Sequence, residues 1–116
     1  QNLGKVGEDL ACAERARRGY AVLARRYRTR FGEIDIIARD DGVTVFVEVK
    51  TRTGDEFGSG AEAVTAWKQR RITQMAVVYL SRYGLHDTPC RFDVVVVDLT
   101  GETARVEVYA HAFDAA

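Results

Sequence analysis

The dipeptide Asp41-Gly42 lies between two runs rich in β-branched residues, Glu33 to Ala38 and Thr44 to Thr51. This arrangement leaves the stretch from Gly32 to Arg52 little alternative to an antiparallel hairpin. With Asp41 and Gly42 as the central turn residues, Asp40 faces Val43. Counting outward, Asp35 then faces Glu48 and Glu33 faces Lys50. Alternation along each strand puts Glu33, Asp35, Glu48 and Lys50 on one face, and Ile34, Ile36, Val45, Val47 and Val49 on the other.

Opposed carboxylates with Cβ atoms about 4.5–5.5 Å apart repel one another and weaken a sheet. A shared proton, a neighbouring ammonium or a divalent cation would offset that repulsion. Lys50, two residues beyond Glu48, supplies the ammonium and leaves room for the cation. Asp35 and Glu48, with a backbone carbonyl and waters, make a candidate Mg²⁺ or Mn²⁺ site. The ligands are too few and too hard for structural zinc.

The 116 residues, 47% of them apolar, suit one domain spanning 1–116 with a modest core. No run approaches the roughly 18 apolar residues of a membrane span and no secretory layout opens the chain, so a cytoplasmic setting without membrane contact is expected. Cys12 and Cys90 lack a Cys-x-x-Cys spacing and suit reduced, packed thiols. His86 and His111 have no partner at metal-ligand spacing. The net charge of zero hides an uneven distribution. Residues 1–31 carry eight Arg/Lys against three acids and 65–91 carry five against one, flanking an acidic centre. A polyanionic partner therefore stays open, beside the plainer reading of solvated charged faces.

Periodicity predicts a helix from Lys5 to Arg18, with Val6, Leu10, Ala13 and the stem of Arg17 as its buried stripe and Gly19 as its stop. Glu8, in the first turn, is either a simple N-terminal acid or a member of the site. A short strand, Tyr20 to Leu23, runs into the basic stretch Arg25, Arg26, Tyr27, Arg28 and Arg30. That stretch reads either as a phosphate- and base-contacting segment or as a charge-protected edge strand. Residues 53–63 read as a mobile loop over the carboxylate face, anchored by Phe57. Thr65 caps a second helix, Ala66 to Tyr83, with Ile72, Met75, Ala76, Tyr79, Leu80 and Tyr83 as its apolar stripe. Lys68, Arg70 and Arg71 crowd its first turns, where the helix dipole disfavours cations, so local acids or an external anion must compensate. Gln69 reads as a boundary residue or as part of the site's rim. Arg91 to Leu99 reads as a mid-sheet strand buried on both faces, and Arg105 to Ala112 as a final edge strand.

The motifs Gly7-Glu8, Gly32-Glu33-Ile34-Asp35, Phe46-Val47-Glu48-Val49-Lys50-Thr51-Arg52, Phe57-Gly58, Ala61-Glu62-Ala63-Val64, Lys68-Gln69-Arg70-Arg71 and Arg91-Phe92-Asp93-Val94-Val95 together resemble the YraN-like small bacterial proteins. The core of that family is similar to the restriction-endonuclease and Holliday-junction-resolvase fold with its PD-(D/E)xK site. The resemblance covers nearly the whole chain. The chain departs from it at Gly60, Ala66 and Trp67, where proline and basic residues are usual, and at Arg26, where asparagine is.

The resemblance implies an α/β, restriction-endonuclease-like core: a mixed central sheet flanked by the N-terminal helix and by a second helix after the hairpin. It also implies Asp35 and Glu48 as metal ligands, Lys50 as the residue that orients or helps deprotonate the attacking water, and Glu8 as an acid completing the site. Candidate nucleic-acid contacts are Arg26, Arg28, Arg52, Lys68, Gln69, Arg70 and Arg71. The function expected first is a Mg²⁺- or Mn²⁺-dependent nuclease acting on nucleic acid, with DNA, structured or branched, ahead of RNA and two copies pairing. Its alternatives are a nucleic-acid-binding module of the same fold that cuts poorly or not at all, and a structural protein in which Glu33 to Lys50 is only an ion-pair ladder.

Overall fold

The computed structural model describes residues 3–54 and 64–115. The elements in chain order are α1 (Leu3–Arg17), β1 (Ala21–Thr29), β2 (Gly32–Asp40), β3 (Val43–Arg52), α2 (Ala66–Arg82), β4 (Cys90–Asp98) and β5 (Arg105–Phe113). The five strands form one sheet in the order β1-β2-β3-β4-β5. Neighbours are antiparallel except β3 and β4, which run parallel and are joined through α2. This is the mixed, helix-flanked sheet expected of the endonuclease-like core, and the loop reading for 53–63 lies largely outside the described residues.

The turn carries the hairpin as its residues require. Asp41 and Gly42 both take positive φ, 49° and 81°, the conformation that matches the twist of the flanking strands. Pairing runs from Asp40 opposite Val43 to Ile36 opposite Val47, in the register counted from the turn. β4 lies between β3 and β5 with Phe92 to Val97 buried, so its apolar character on both sides meets helix-covered faces.

Two cores follow. On one face Ile72, Met75, Ala76, Tyr79 and Leu80 of α2 meet Ile37, Phe46, Phe92, Val94 and Val96. Tyr79 sits edge-on to Tyr27 and Phe46, with ring centroids 5.2 and 5.8 Å away. On the other face Ala11 of α1 meets Ile36, Ala38, Val45, Val47, Val95 and Val97.

Four expectations are corrected. The α1 stripe consists of Gly7, Ala11 and Arg15, spaced four apart, while Ala13 and Arg17 are exposed; small residues bring the helix close to the sheet, and Arg15 is buried because an acid awaits it. Ile34 packs on the α2 face, not with Ile36. On the neighbouring strand Arg26 takes φ 51° at the same level, where Arg25 and Arg26 both reach α1 acids and Tyr27 joins the α2 core, while the pairing of β1 with β2 shifts between Val22 and Ala24. β1 continues to Thr29, absorbing the basic stretch into an edge strand. Tyr83 caps α2 and is 55% exposed. On the opposite edge, β5 has a similar break: pairing shifts between Phe92 and Val94, and His111 takes φ 56°.

Gly7 is where α1 touches the site strand. A Cβ there would overlap Thr51 Oγ1 and lie 3.2 Å from Thr51 Cβ. Gly7→Ala should gain about 1 kcal/mol of helix propensity and lose about 1–3 kcal/mol to overpacking. We therefore expect net destabilisation in a denaturant melt, turned into a gain when Thr51→Ala is added. A stabilised single variant would show that α1 can lift away freely.

Candidate metal and nucleic-acid site

β2 and β3 carry the central residues. Just beyond the paired stretch, Asp35 Oδ2 accepts the Val49 N–H at 2.8 Å, so Asp35 is not simply squared against Glu48 as a further rung of the ladder. The ladder likewise stops short of the Glu33–Lys50 pair expected from the turn. Asp35 and Glu48 nevertheless meet. Burial first, and then the charge of Glu48, push the Asp35 carboxyl up to about 8, against the lowering effect of the Val49 N–H. At neutral pH Asp35 therefore keeps its proton and shares a hydrogen bond with Glu48. Glu48 is itself buried, at 8% exposure.

Sequence reasoning missed the third partner. Lys68, in the first turn of α2, reaches back to Glu48, with Nζ 2.6 Å from Oε2. Burial is the largest influence on this ammonium and lowers its pKa, but the hydrogen bond and charge of Glu48, with Asp35 behind, outweigh it and hold Lys68 above its ordinary range. The signal was in the sequence: a lysine where the helix dipole disfavours cations needs an acid, and Glu48 is that acid.

Lys50 follows Glu48 by two residues on β3, opposite Val96 of β4. Glu8 lies near enough to raise the Asp35 pKa slightly, yet its carboxylate is engaged by Arg26 at 2.9 Å and Arg25 at 3.7 Å. Among the described residues no group of three or more His, Cys, Asp or Glu side chains converges as a metal cage. The central acids are thus a pair, with Glu8 at their margin.

The basic residues divide. Arg28 pairs with Glu33 at 3.0 Å and is 84% exposed, and Arg71 lies over the Trp67 ring, 4.9 Å from its centroid. Arg70 is exposed on α2. Lys68 and Arg71 line the cleft beside Glu48, and Arg28 reaches it through Glu33. Arg26 turns to Glu8, and Arg52 has a buried Nη2 without a hydrogen-bond partner among the described residues, so neither is simply an outward-facing cation. Gln69 donates to the Val64 carbonyl at 3.0 Å and thereby fixes the entry to α2. A cleft of about 210 Å³ opens beside Glu48 and Lys68, with Phe31, Trp67, Ile72 and Met75 as its apolar lining. No helix among the described residues is long and apolar enough to cross a membrane.

A family model described as "Uncharacterised protein family UPF0102" matches residues 7–97. The chain is 52% identical over 98 residues to a UPF0102 protein of Symbiobacterium thermophilum, covering 84% of this chain and 83% of the relative. It is 48% identical over 118 residues to one of Syntrophus aciditrophicus, covering 100% and 93%. A third, of Lachnoclostridium phytofermentans, is 50% identical over 113 residues, covering 97% and 92%.

Proposed function

This chain belongs to the uncharacterised protein family UPF0102, and we propose that it is a metal-dependent nuclease that hydrolyses phosphodiester bonds in nucleic acid, with structured or branched DNA as the favoured substrate. One observation carries this reading: the half-buried Asp35 carboxyl is set against the buried Glu48 carboxylate, and burial together with that charge pushes it up to about 8. A divalent cation relieves that repulsion. Asp35 and Glu48 would hold Mg²⁺ or Mn²⁺, both of which accept a few hard oxygen ligands and complete their shell with water and substrate phosphate. When bound, such an ion supplies Lewis-acid polarisation of the phosphate and lowers the pKa of water. Lys50 orients the attacking water and balances the charge that develops on the phosphoryl oxygens. Lys68, now paired with Glu48, would be free to meet a substrate phosphate where Glu48 serves as a metal ligand.

A second reading has its own support. Glu8 is held in ion pairs and Glu48 is already balanced by Lys68, an arrangement that also suits a binding module with weak or no cleavage. One screen separates the two: linear and branched DNA and RNA incubated with Mn²⁺, wild type beside Asp35→Ala and Glu48→Ala. The nuclease reading expects wild-type cleavage that falls by more than about 100-fold in either variant, because losing a ligand costs more than losing a residue that merely supports one. It also expects the metal to raise Tm in the wild type alone. Salt-sensitive DNA binding with no metal effect and no cutting would put the binding module in its place.

A further inference from the structure

Trp67 is 59% exposed, yet it lies on the wall of the cleft beside Glu48, backed by Ile72 and Met75. Arg71 covers one side of its ring. Gly32 also lines the cleft, and its φ of 128° is a backbone conformation that favours glycine. The cleft thus combines an aromatic face and apolar lining with Lys68 and Arg71, and its two acids, Glu33 and Glu48, are paired with Arg28 and Lys68. Its volume of about 210 Å³ is below the roughly 300–1,000 Å³ of a small-molecule site, and leaves room for one planar ring system.

We propose that this cleft receives a single unpaired nucleobase, stacked on Trp67, with Arg71 meeting a flanking phosphate. The proposal rests on the nucleic-acid reading above and narrows it: the substrate carries a single-stranded segment at or next to the bond that is cut. Bases within a duplex have both faces covered by their neighbours, so only an unpaired or extruded base can offer a face to the indole. A free hydrophobic partner fits less well, because cations line the aromatic ring and the pocket holds one ring rather than a helix face. An exposed aromatic by itself needs no explanation; here it is the cleft beside it and the neighbouring Arg71 guanidinium that give it an occupant.

Trp67 is the only tryptophan in the chain, so its emission reports directly on the cleft. The full protein in EDTA is titrated with a single-stranded oligodeoxynucleotide and, separately, with the blunt duplex of the same sequence. We expect the single strand to quench the emission by about half and the duplex to leave it nearly unchanged. Trp67→Ala should weaken single-strand binding about tenfold, measured by anisotropy of a labelled strand, while Trp67→Phe keeps most of the affinity. Equal quenching by duplex, or single-strand affinity untouched in Trp67→Ala, overturns the proposal. Asp35→Ala separates it from the hydrolase reading, since Asp35 does not line the cleft and that variant should still show quenching while losing cleavage. Quenching without cleavage in the wild type leaves the base pocket standing and removes the hydrolase; cleavage without quenching does the reverse.

Discussion

Asp93→Ala is expected to destabilise the protein by about 3–5 kcal/mol, read as a lowered midpoint in urea. Asp93 and Arg15 are both fully buried, and Arg15 Nη1 donates to Asp93 Oδ2 at 3.0 Å. Arg91 donates to the other carboxylate oxygen at 3.1 Å, to Asp40 at 2.9 Å and to the Tyr20 hydroxyl at 2.9 Å, and the His111 N–H also donates to Asp93, at 3.0 Å. Arg15 already has two guanidinium nitrogens without a hydrogen-bond partner and lies 4.0 Å over the Tyr20 ring. Desolvation is the main influence lowering its pKa, and Asp93 opposes it. Without Asp93 a buried cation would lose its counter-charge, the mechanism behind the largest single-residue losses. The pair's net worth is a separate matter: Arg15→Met with Asp93→Leu should recover part of the stability, since apolar replacement of a buried ion pair is often neutral or better, the remainder being the bonds from Arg91 and the His111 N–H that Asp93 also accepts. A loss below about 1 kcal/mol in the single variant would mean that Arg15 readily reaches water.

Asp35→Asn should flatten the pH dependence of stability in the metal-free protein and gain on the order of 2–4 kcal/mol over wild type at pH 9. The folded Asp35 carboxyl is raised to about 8 from an ordinary value of 3.8. Between those values the folded state holds a proton that the unfolded chain releases. The contribution is therefore complete below about pH 4 and is lost as pH climbs through about 8. Asparagine cannot ionise, so it avoids the loss. The same proton opposes metal entry: binding near pH 7 should release about one proton, visible as a buffer-dependent heat in calorimetry, and the release should vanish in Asp35→Asn. A wild-type Tm that stays level from pH 5 to 9 in EDTA would refute this account.

The features legible in the sequence were those governed by local chemistry. Asp41-Gly42 specified a turn with two positive φ angles, and the turn specified the register from Asp40–Val43 to Ile36–Val47. The apolar run Phe92 to Val97 specified a central strand. Counting outward failed where the backbone departs from regular alternation, at Ile34 and Asp35, level with Arg26, whose positive φ on the neighbouring strand is not written in the hairpin's own residues. Asparagine, which tolerates left-handed backbone, is the residue expected at position 26 from the family resemblance, so that substitution carried a clue to the irregular geometry. Arg15 escaped notice because a helical arginine reads as solvent-facing unless the distant acid that buries it, 78 positions along the chain, is known. Among the candidate site residues, the Asp35–Glu48 proximity followed from the hairpin, whereas the Lys68–Glu48 contact needed the parallel crossover that returns α2 over β3.

Arg26 and His111, the two non-glycine residues with positive φ outside the hairpin turn among the described residues, lie on β1 and β5, the outermost strands at either side of the sheet. An intact outer strand offers a row of unpaired amides and carbonyls on which a neighbouring molecule can template a cross-β stack. A kink in each rim breaks that row before it grows long enough to be copied. The sheet is thereby guarded against fibrillar polymerisation at both borders, and any self-association of the protein has reason to use its helical or loop surfaces.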